Sequence, residues 1–117
     1  MGGIRAELRD AFYATRAYFD NTHDNMSDVW LFPRVMGDDR YGHATPKPVE
    51  MVERIVKSSC ISGGLIFDPF TGTGTTIIAS ERHSRTCYGM ELDPKYVQVA
   101  IERWETYTGR KAEQLHK

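Results

Sequence analysis

The residues with the clearest chemical potential run from Ile66 to Thr76, reading Ile-Phe-Asp-Pro-Phe-Thr-Gly-Thr-Gly-Thr-Thr. A short apolar run, Gly64 to Phe67, reaches an acid at Asp68. A glycine-bearing turn follows, and Thr-Ile-Ile-Ala-Ser from Thr76 continues as a helical stretch. A strand, a tight loop and a helix N-terminus in this order bring backbone N–H groups close to a nucleotide-like ligand. Glu91 stands 23 residues after Asp68, at the end of a second apolar run, Cys87-Tyr88-Gly89-Met90. An acid at the tip of the second strand is where such folds accept ribose hydroxyls.

The details of the loop narrow the ligand. A phosphate-binding loop ends in Gly-Lys-Ser/Thr, but Gly74 is followed by Thr75 and Thr76. The dinucleotide fingerprint is half present, with Gly72 and Gly74 in place and Ile77 at the third glycine position. A carboxylate directly before the loop, at Asp68, repels a pyrophosphate and suits a cationic group. The ammonium and sulfonium of S-adenosylmethionine are such groups. A generic glycine turn between strand and helix is the alternative.

The elements that must position these groups are legible in outline. Residues 4 to 20 read as a helix, with Ala6, Ala11, Ala14 and Ala17 favouring it and Leu8, Phe12 and Phe19 as apolar positions. Residues 21 to 47 carry turn chemistry, with a short strand expected at Val29-Trp30-Leu31-Phe32. Pro48 suits the start of a helix running to about Ser58, with Thr45 as an upstream hydroxyl. Val49, Val52, Ile55, Val56 and Ser59 recur on one face of it. A helix from about Thr75 to His83, a strand from about Thr86 to Met90 and a helix from Pro94 to about Tyr107 complete the pattern. Tyr96, Val99, Ala100, Arg103 and Trp104 lie near one side of the last helix, and Gly109 ends it. The fold class is α/β, with an incomplete parallel sheet flanked by helices. Two parallel strands joined by one helix bury little and leave both edges open. The isolated chain is therefore expected to be marginally stable or to pair with something.

Composition is that of an ordinary globular protein. The formal net charge of -1 gives no global basic signature for nucleic acid. A local footprint around Arg5, Arg9, Arg16, Arg34 and Arg40 and an ordinary solvated surface are both open readings. Cys60 and Cys87 lie outside any CxxC spacing and read as buried free thiols in a reducing compartment. The four histidines are scattered, so no metal site is expected. No apolar run approaches the length of a membrane span, and the N-terminus lacks a signal-peptide core. A soluble, cytoplasmic protein without membrane contact is the expectation.

Asp68-Pro69-Phe70-Thr71-Gly72-Thr73-Gly74-Thr75 resembles the DPFxGxGT cofactor motif of DNA amino-methyltransferases, enzymes that methylate the exocyclic amine of adenine or cytosine. Three further segments agree. His43-Ala44-Thr45-Pro46-Lys47-Pro48 resembles the HxTxKP segment upstream of that motif. Gly89-Met90-Glu91-Leu92-Asp93-Pro94-Lys95-Tyr96 resembles the GxExxxxY segment after it, and Ser27-Asp28-Val29-Trp30 resembles the DVW segment before HxTxKP. The resemblance spans about residues 18 to 112. It implies a partial Rossmann-like fold of the S-adenosyl-L-methionine-dependent methyltransferases, from a modification or restriction-modification context, phage genomes included. Residues 1–42 would be a helix and loop following the target-recognition region, and residues 43–117 a cofactor-binding subdomain.

One departure stands out. The family's catalytic tetrapeptide, D/N/S-P-P-Y/F/W, is absent: the Asp-Pro pairs at Asp68-Pro69 and Asp93-Pro94 lack a second proline and an aromatic. That segment holds the amine of a flipped base and stacks on it. No residue here is assigned a catalytic role. In the permuted class usually called beta, the catalytic segment and recognition region come first, and HxTxKP, DPF and GxE close the chain. The resemblance thus implies the C-terminal, cofactor-binding part of such an enzyme, ending at its natural C-terminus and inactive without a chain bearing the DPPY-type segment. Double-stranded DNA is the implied substrate of the complete enzyme, adenine ahead of cytosine. A second chain or a homo-oligomer would complete the sheet. A non-catalytic cofactor-binding remnant, a regulatory subunit, and an RNA or protein methyltransferase fragment are the alternatives.

The resemblance also implies roles. Asp68 accepts the methionine ammonium of the cofactor, and Pro69 belongs to the same loop. Phe70 packs beside the sulfonium, where a ring face favours a cation, or else joins the core. Gly72 and Gly74 allow close backbone approach. Thr73 and Thr75 offer donors to the carboxylate, and Thr45 and Lys47 approach the same end, unless Lys47 is simply a solvated lysine at a helix start. Glu91 takes the ribose hydroxyls as a charged acceptor. Leu92 and Asp93 border the adenine, with Asp93-Pro94 alternatively a helix cap.

Overall fold

The structure, a computed structural model, describes residues 30–36 and 47–116. The expected helix over 4–20, the local arginine footprint except Arg34, and the segment holding His43 and Thr45 lie outside the described residues. The ordered elements are α1 (Val49–Ser59), β1 (Leu65–Asp68), α2 (Thr75–Arg82), β2 (Thr86–Gly89) and α3 (Pro94–Thr108). β1 and β2 pair in parallel, with Leu65 opposite Thr86 and Asp68 opposite Gly89. α2 makes the crossover that a parallel pair requires.

The strand expected around Trp30 does not form: residues 30–36 are without regular structure. Pro33 has no N–H to give to a ladder. Trp30 instead lies edge-on to Phe32, with the Arg54 guanidinium over its ring at 4.8 Å.

α1 begins one residue later than its proline suggests. Pro48 occupies the cap position with extended backbone, φ −59° and ψ 136°, and no side chain caps the helix. Val52 and Val56, one turn apart, are buried against Ala79 of α2, with Val49 and Ile66 packed around them. Ile55, expected on the same face, falls at its margin and is 45% exposed.

Arg85 joins the end of α1 to the turn before β2. Its Nε donates to the Cys60 carbonyl at 3.1 Å and its Nη1 to the His83 carbonyl at 2.6 Å. At the other end of the unit, Asp93 caps α3 by accepting the Lys95 N–H at 2.9 Å, and Gly109 closes it in the left-handed conformation, φ 71°. α2 packs against α1, β2 and α3, so it is the hub of the described residues.

The sheet is covered unequally. Ile66 and Cys87, opposite each other in register, are half-buried on the α2 side. Leu65, Phe67 and Tyr88 point to the other side and are each about 60% exposed. Parallel sheets are normally covered on both faces. The two cysteines are free but only half-buried, not the fully buried thiols expected from sequence. A strand pair this short offers little interior.

Candidate cofactor site

Asp68 and Glu91 come together because the parallel register places Asp68 beside Gly89, two residues before Glu91. Both acids therefore sit at the carboxyl ends of neighbouring strands, where α/β sheets bind ligands. Beyond the strands the backbones stay paired. The Met90 N–H donates to the Asp68 carbonyl at 2.9 Å, and the Thr71 N–H donates to the Met90 carbonyl at 3.0 Å. The Thr71 hydroxyl donates to the same carbonyl at 3.1 Å. This close approach depends on Gly89, where an added Cβ would collide with the Thr71 Cγ2.

Each acid is also a structural acceptor. Asp68 Oδ1 accepts the Phe70 N–H at 2.9 Å, closing a local turn. Its Oδ2 accepts the Thr76 hydroxyl at 2.6 Å, the short length of a charge-assisted bond. Glu91 Oε2 accepts the Gly72 N–H at 2.8 Å, and Oε1 accepts the Asp93 N–H at 3.0 Å. A carboxylate has about four lone-pair sites, so two backbone or side-chain donors do not by themselves saturate it.

The loop itself is a turn of left-handed glycines, Gly72 at φ 56° and Gly74 at φ 84°. The Gly74 N–H returns to the Thr71 carbonyl at 3.0 Å, and the Gly74 carbonyl accepts Ile78 N–H as the first bond of the α2 turn. A Cβ at Gly74 would stand 2.7 Å from the Ala100 Cβ. The bareness of this glycine thus lets α3 close on the loop, whereas the motif alone assigns it to a ligand's approach.

Thr73 and Thr75 are buried, 4% and 8% exposed. Arg103 of α3 reaches both: its Nη1 lies 2.8 Å from the Thr73 carbonyl, 3.2 Å from the Thr73 hydroxyl and 3.3 Å from the Thr75 hydroxyl. Their hydroxyls therefore face α3 as well as the loop. Phe70 and Leu92 project outward, 85% and 98% exposed, so Phe70 is no core residue. The Asp93 carboxylate is the α3 cap, the alternative that sequence left open.

Two grooves flank the loop. One, of about 420 Å³, runs between α1 and β1 and is lined by Lys47, Phe67, Asp68 and Thr76. The other, of about 360 Å³, is lined by Thr71, Gly89, Glu91, Ile101 and Trp104. Lys47 thus joins Asp68, while Glu91 opens toward the far side of the same loop. Behind the loop, burial pushes the Cys87 thiol up from its ordinary value, a Ser80 hydrogen bond opposes this, and the Asp68 charge adds to the rise. No cluster of metal-ligating side chains occurs among the described residues.

Sequence reasoning missed two residues that organise this site, Thr76 and Arg103. Thr76 follows the motif by one position and looks like any helix-start threonine. Arg103 is distant in sequence, but it follows Ala100 by three positions and so shares its face of α3. The small residue facing a loop glycine was its available signal. The assembled donors and acceptors suit a ligand with cationic and hydroxyl groups: two carboxylates, an exposed ring, and a helix start whose first N–H groups have no intrahelical partner.

Known proteins resemble this chain in sequence and fold. The DNA methylase family matches residues 7–102. The chain is 34% identical over 87 residues to the type II methyltransferase M.ScaI of Streptomyces caespitosus, covering 69% of this chain and 29% of that protein. It is 33% identical over 92 residues to the DNA adenine methyltransferase YhdJ of Escherichia coli K12, covering 77% of this chain and 31% of YhdJ. Among solved structures, a Thermus thermophilus protein assigned as a DNA modification methylase, complexed with S-adenosyl-L-methionine, superposes with a TM-score of 0.51 and 46% identity. That match covers 52% of this chain and 25% of the other. The M1.HpyAVI–SAM complex superposes with a TM-score of 0.59 and 26% identity, covering 76% of this chain and 44% of its own. The chain thus spans roughly a third or less of the curated relatives it matches. With the family matched over residues 7–102 and relatives more than 30% identical over two thirds of the chain, the chain belongs to the DNA methylase family of N6- and N4-type methyltransferases.

Proposed function

We propose that this chain holds S-adenosyl-L-methionine as the cofactor-binding part of a DNA methyltransferase acting on an exocyclic amine, adenine ahead of cytosine. One observation carries the reading: Asp68 ends β1, Glu91 lies two residues past the parallel β2, and the Gly72 amide between them is held by Glu91. The donor set fits the group. Asp68, beside Lys47 in the α1–β1 groove, accepts the ammonium, and Lys47 approaches the carboxylate; Thr45, given the same role, lies outside the described residues. The exposed Phe70 ring and Pro69 flank the sulfonium. The α2 N-terminus, entered through Gly72, Thr73, Gly74 and Thr75, faces the carboxylate. Glu91 accepts ribose hydroxyls, with Leu92 and the cap residue Asp93 beside the adenine. The bound cofactor supplies an electrophilic methyl group; this chain's residues bind and orient it.

The acceptor side lies outside this chain in this reading. Residues 43–117 form the cofactor subdomain, and residues 1–42 belong with the region that follows target recognition. The exposed Leu65, Phe67 and Tyr88 support a second chain or a second copy that completes the sheet and brings a DPPY-type segment to duplex DNA. M.ScaI and YhdJ, named as methyltransferases, support the reaction class. No described helix is long and apolar enough to cross a membrane; a DNA substrate puts the work in the cytoplasm.

The test is an amide-resolved NMR titration with S-adenosyl-L-methionine. Shift changes concentrated at Asp68, Phe70, Gly72 to Thr75 and Glu91 are expected. Changes confined to other surfaces would refute the assignment.

A further inference from the structure

Arg103 belongs to α3, yet its guanidinium reaches the glycine loop. Its Nη1 lies 2.8 Å from the Thr73 carbonyl, against 3.2 Å and 3.3 Å to the Thr73 and Thr75 hydroxyls. One nitrogen carries two hydrogens, so three acceptors cannot be served equally, and the carbonyl takes the best of them. That carbonyl belongs to the peptide unit between Thr73 and Gly74. The other end of the same unit, the Gly74 N–H, donates to the Thr71 carbonyl at 3.0 Å. The unit is therefore held at both ends.

This matters because the unit stands between two left-handed glycines, Gly72 at φ 56° and Gly74 at φ 84°. Glycine populates several backbone regions at little cost, so the loop has no intrinsic preference for the shape it holds. A flip of the Thr73–Gly74 peptide would break both bonds and redirect the start of α2. Ala100, one turn before Arg103, is small enough for Gly74 to rest on it. α3 thus presents a small side chain and a long cation to the same loop. Both threonines are buried, which keeps water from competing for the carbonyl.

We propose that Arg103 is a positioning residue for the cofactor loop: its guanidinium pins the Thr73–Gly74 peptide and so keeps the first N–H groups of α2 aimed at the cofactor carboxylate. The assignment rests on the S-adenosyl-L-methionine reading above. Arginine is suited to it, because it stays charged and its fork is rigid.

The test compares the full chain with Arg103→Met and Arg103→Lys by amide hydrogen exchange without ligand and by titration with S-adenosyl-L-methionine. In Arg103→Met, exchange at Gly72 and Gly74 accelerates at least ten-fold, that at Val56 and Cys60 changes less than two-fold, and cofactor affinity falls at least five-fold. Arg103→Lys, which keeps a cation, returns both readouts to within three-fold of the parent. If Arg103→Met does not fold, Arg103→Gln carries the same expectations. Uniform acceleration of all amides, or a lysine variant no better than methionine, would reduce Arg103 to a stabilising residue and overturn the proposal. A parent that binds cofactor with a methionine variant that binds equally well overturns this assignment alone; a parent that binds none overturns the cofactor reading and this assignment together.

Discussion

The backbone N–H of Gly72 donates to Oε2 of Glu91 at 2.8 Å, joining residues 19 positions apart. This bond links the two halves of the site. Gly72 belongs to the loop after β1, and Glu91 follows β2. The acid that sequence assigns to a ligand's hydroxyls is thus also the clamp that fixes the loop's first left-handed residue. Glu91 reaches the Asp93 N–H with its other oxygen, so it orders the entry to α3 as well. In the proposed reading, ligand binding and loop shape are coupled through this one carboxylate.

Asp68 and Thr76 form the matching clamp on the β1 side. Thr76→Val removes the hydroxyl donor from a part-buried carboxylate. A loss of about 1–2 kcal/mol in unfolding free energy is expected, measured by denaturant titration. Thr76→Ser, which retains the donor, should lie within about 0.5 kcal/mol of the parent. Equal loss in both variants would show that the methyl group matters more than the hydrogen bond.

Gly74→Ala tests how closely α3 approaches the loop. The new Cβ meets Ala100 at 2.7 Å, and φ 84° is left-handed. Left-handed strain of about 1–2 kcal/mol and overpacking of about 1–3 kcal/mol both act against the variant. A sharp fall in thermal midpoint is expected, with partial recovery when Ala100→Gly is combined with it. No recovery would assign the cost to backbone strain alone.

Cys87 predicts a pH dependence. Its thiol lies above the ordinary value of 9.0, chiefly through burial, with the Asp68 charge adding and the Ser80 hydrogen bond opposing. The folded state therefore keeps this proton when the unfolded state has begun to lose it. Its contribution to stability is whole below pH 9.0 and declines as pH rises toward the higher folded value. Cys87→Ala should flatten that alkaline decline in unfolding free energy, and alkylation of Cys87 at about pH 8 should be slower than that of a free thiol. An unchanged alkaline slope would argue against a perturbed thiol.

Much of this site was readable from sequence because its signals are local. The turn glycines, the acid at the end of each apolar run and the Asp93-Pro94 helix start all act within a few residues of themselves, and β1, α2, β2 and α3 fall within one or two residues of expectation. What escaped is long-range. Thr76 and Arg103 matter only because of what lies across from them in space, and no local pattern marks either. Packing gives Gly74 a neighbour that the motif does not show, since Ala100 lies where its Cβ would stand. The strand expected around Trp30 failed for a related reason. Its residues are strand-like, but they pair with neither edge of the two-stranded sheet, and the Pro33 that follows has no N–H to give to a ladder.

Calorimetric titration of the 117-residue chain with S-adenosyl-L-methionine, with Glu91→Ala alongside, measures whether the paired acids hold the cofactor. Saturable one-site binding by the parent is expected, weakened in the variant by about 1–3 kcal/mol as a charged hydrogen bond is lost. Equal affinity in both proteins, with the variant folded, would contradict it.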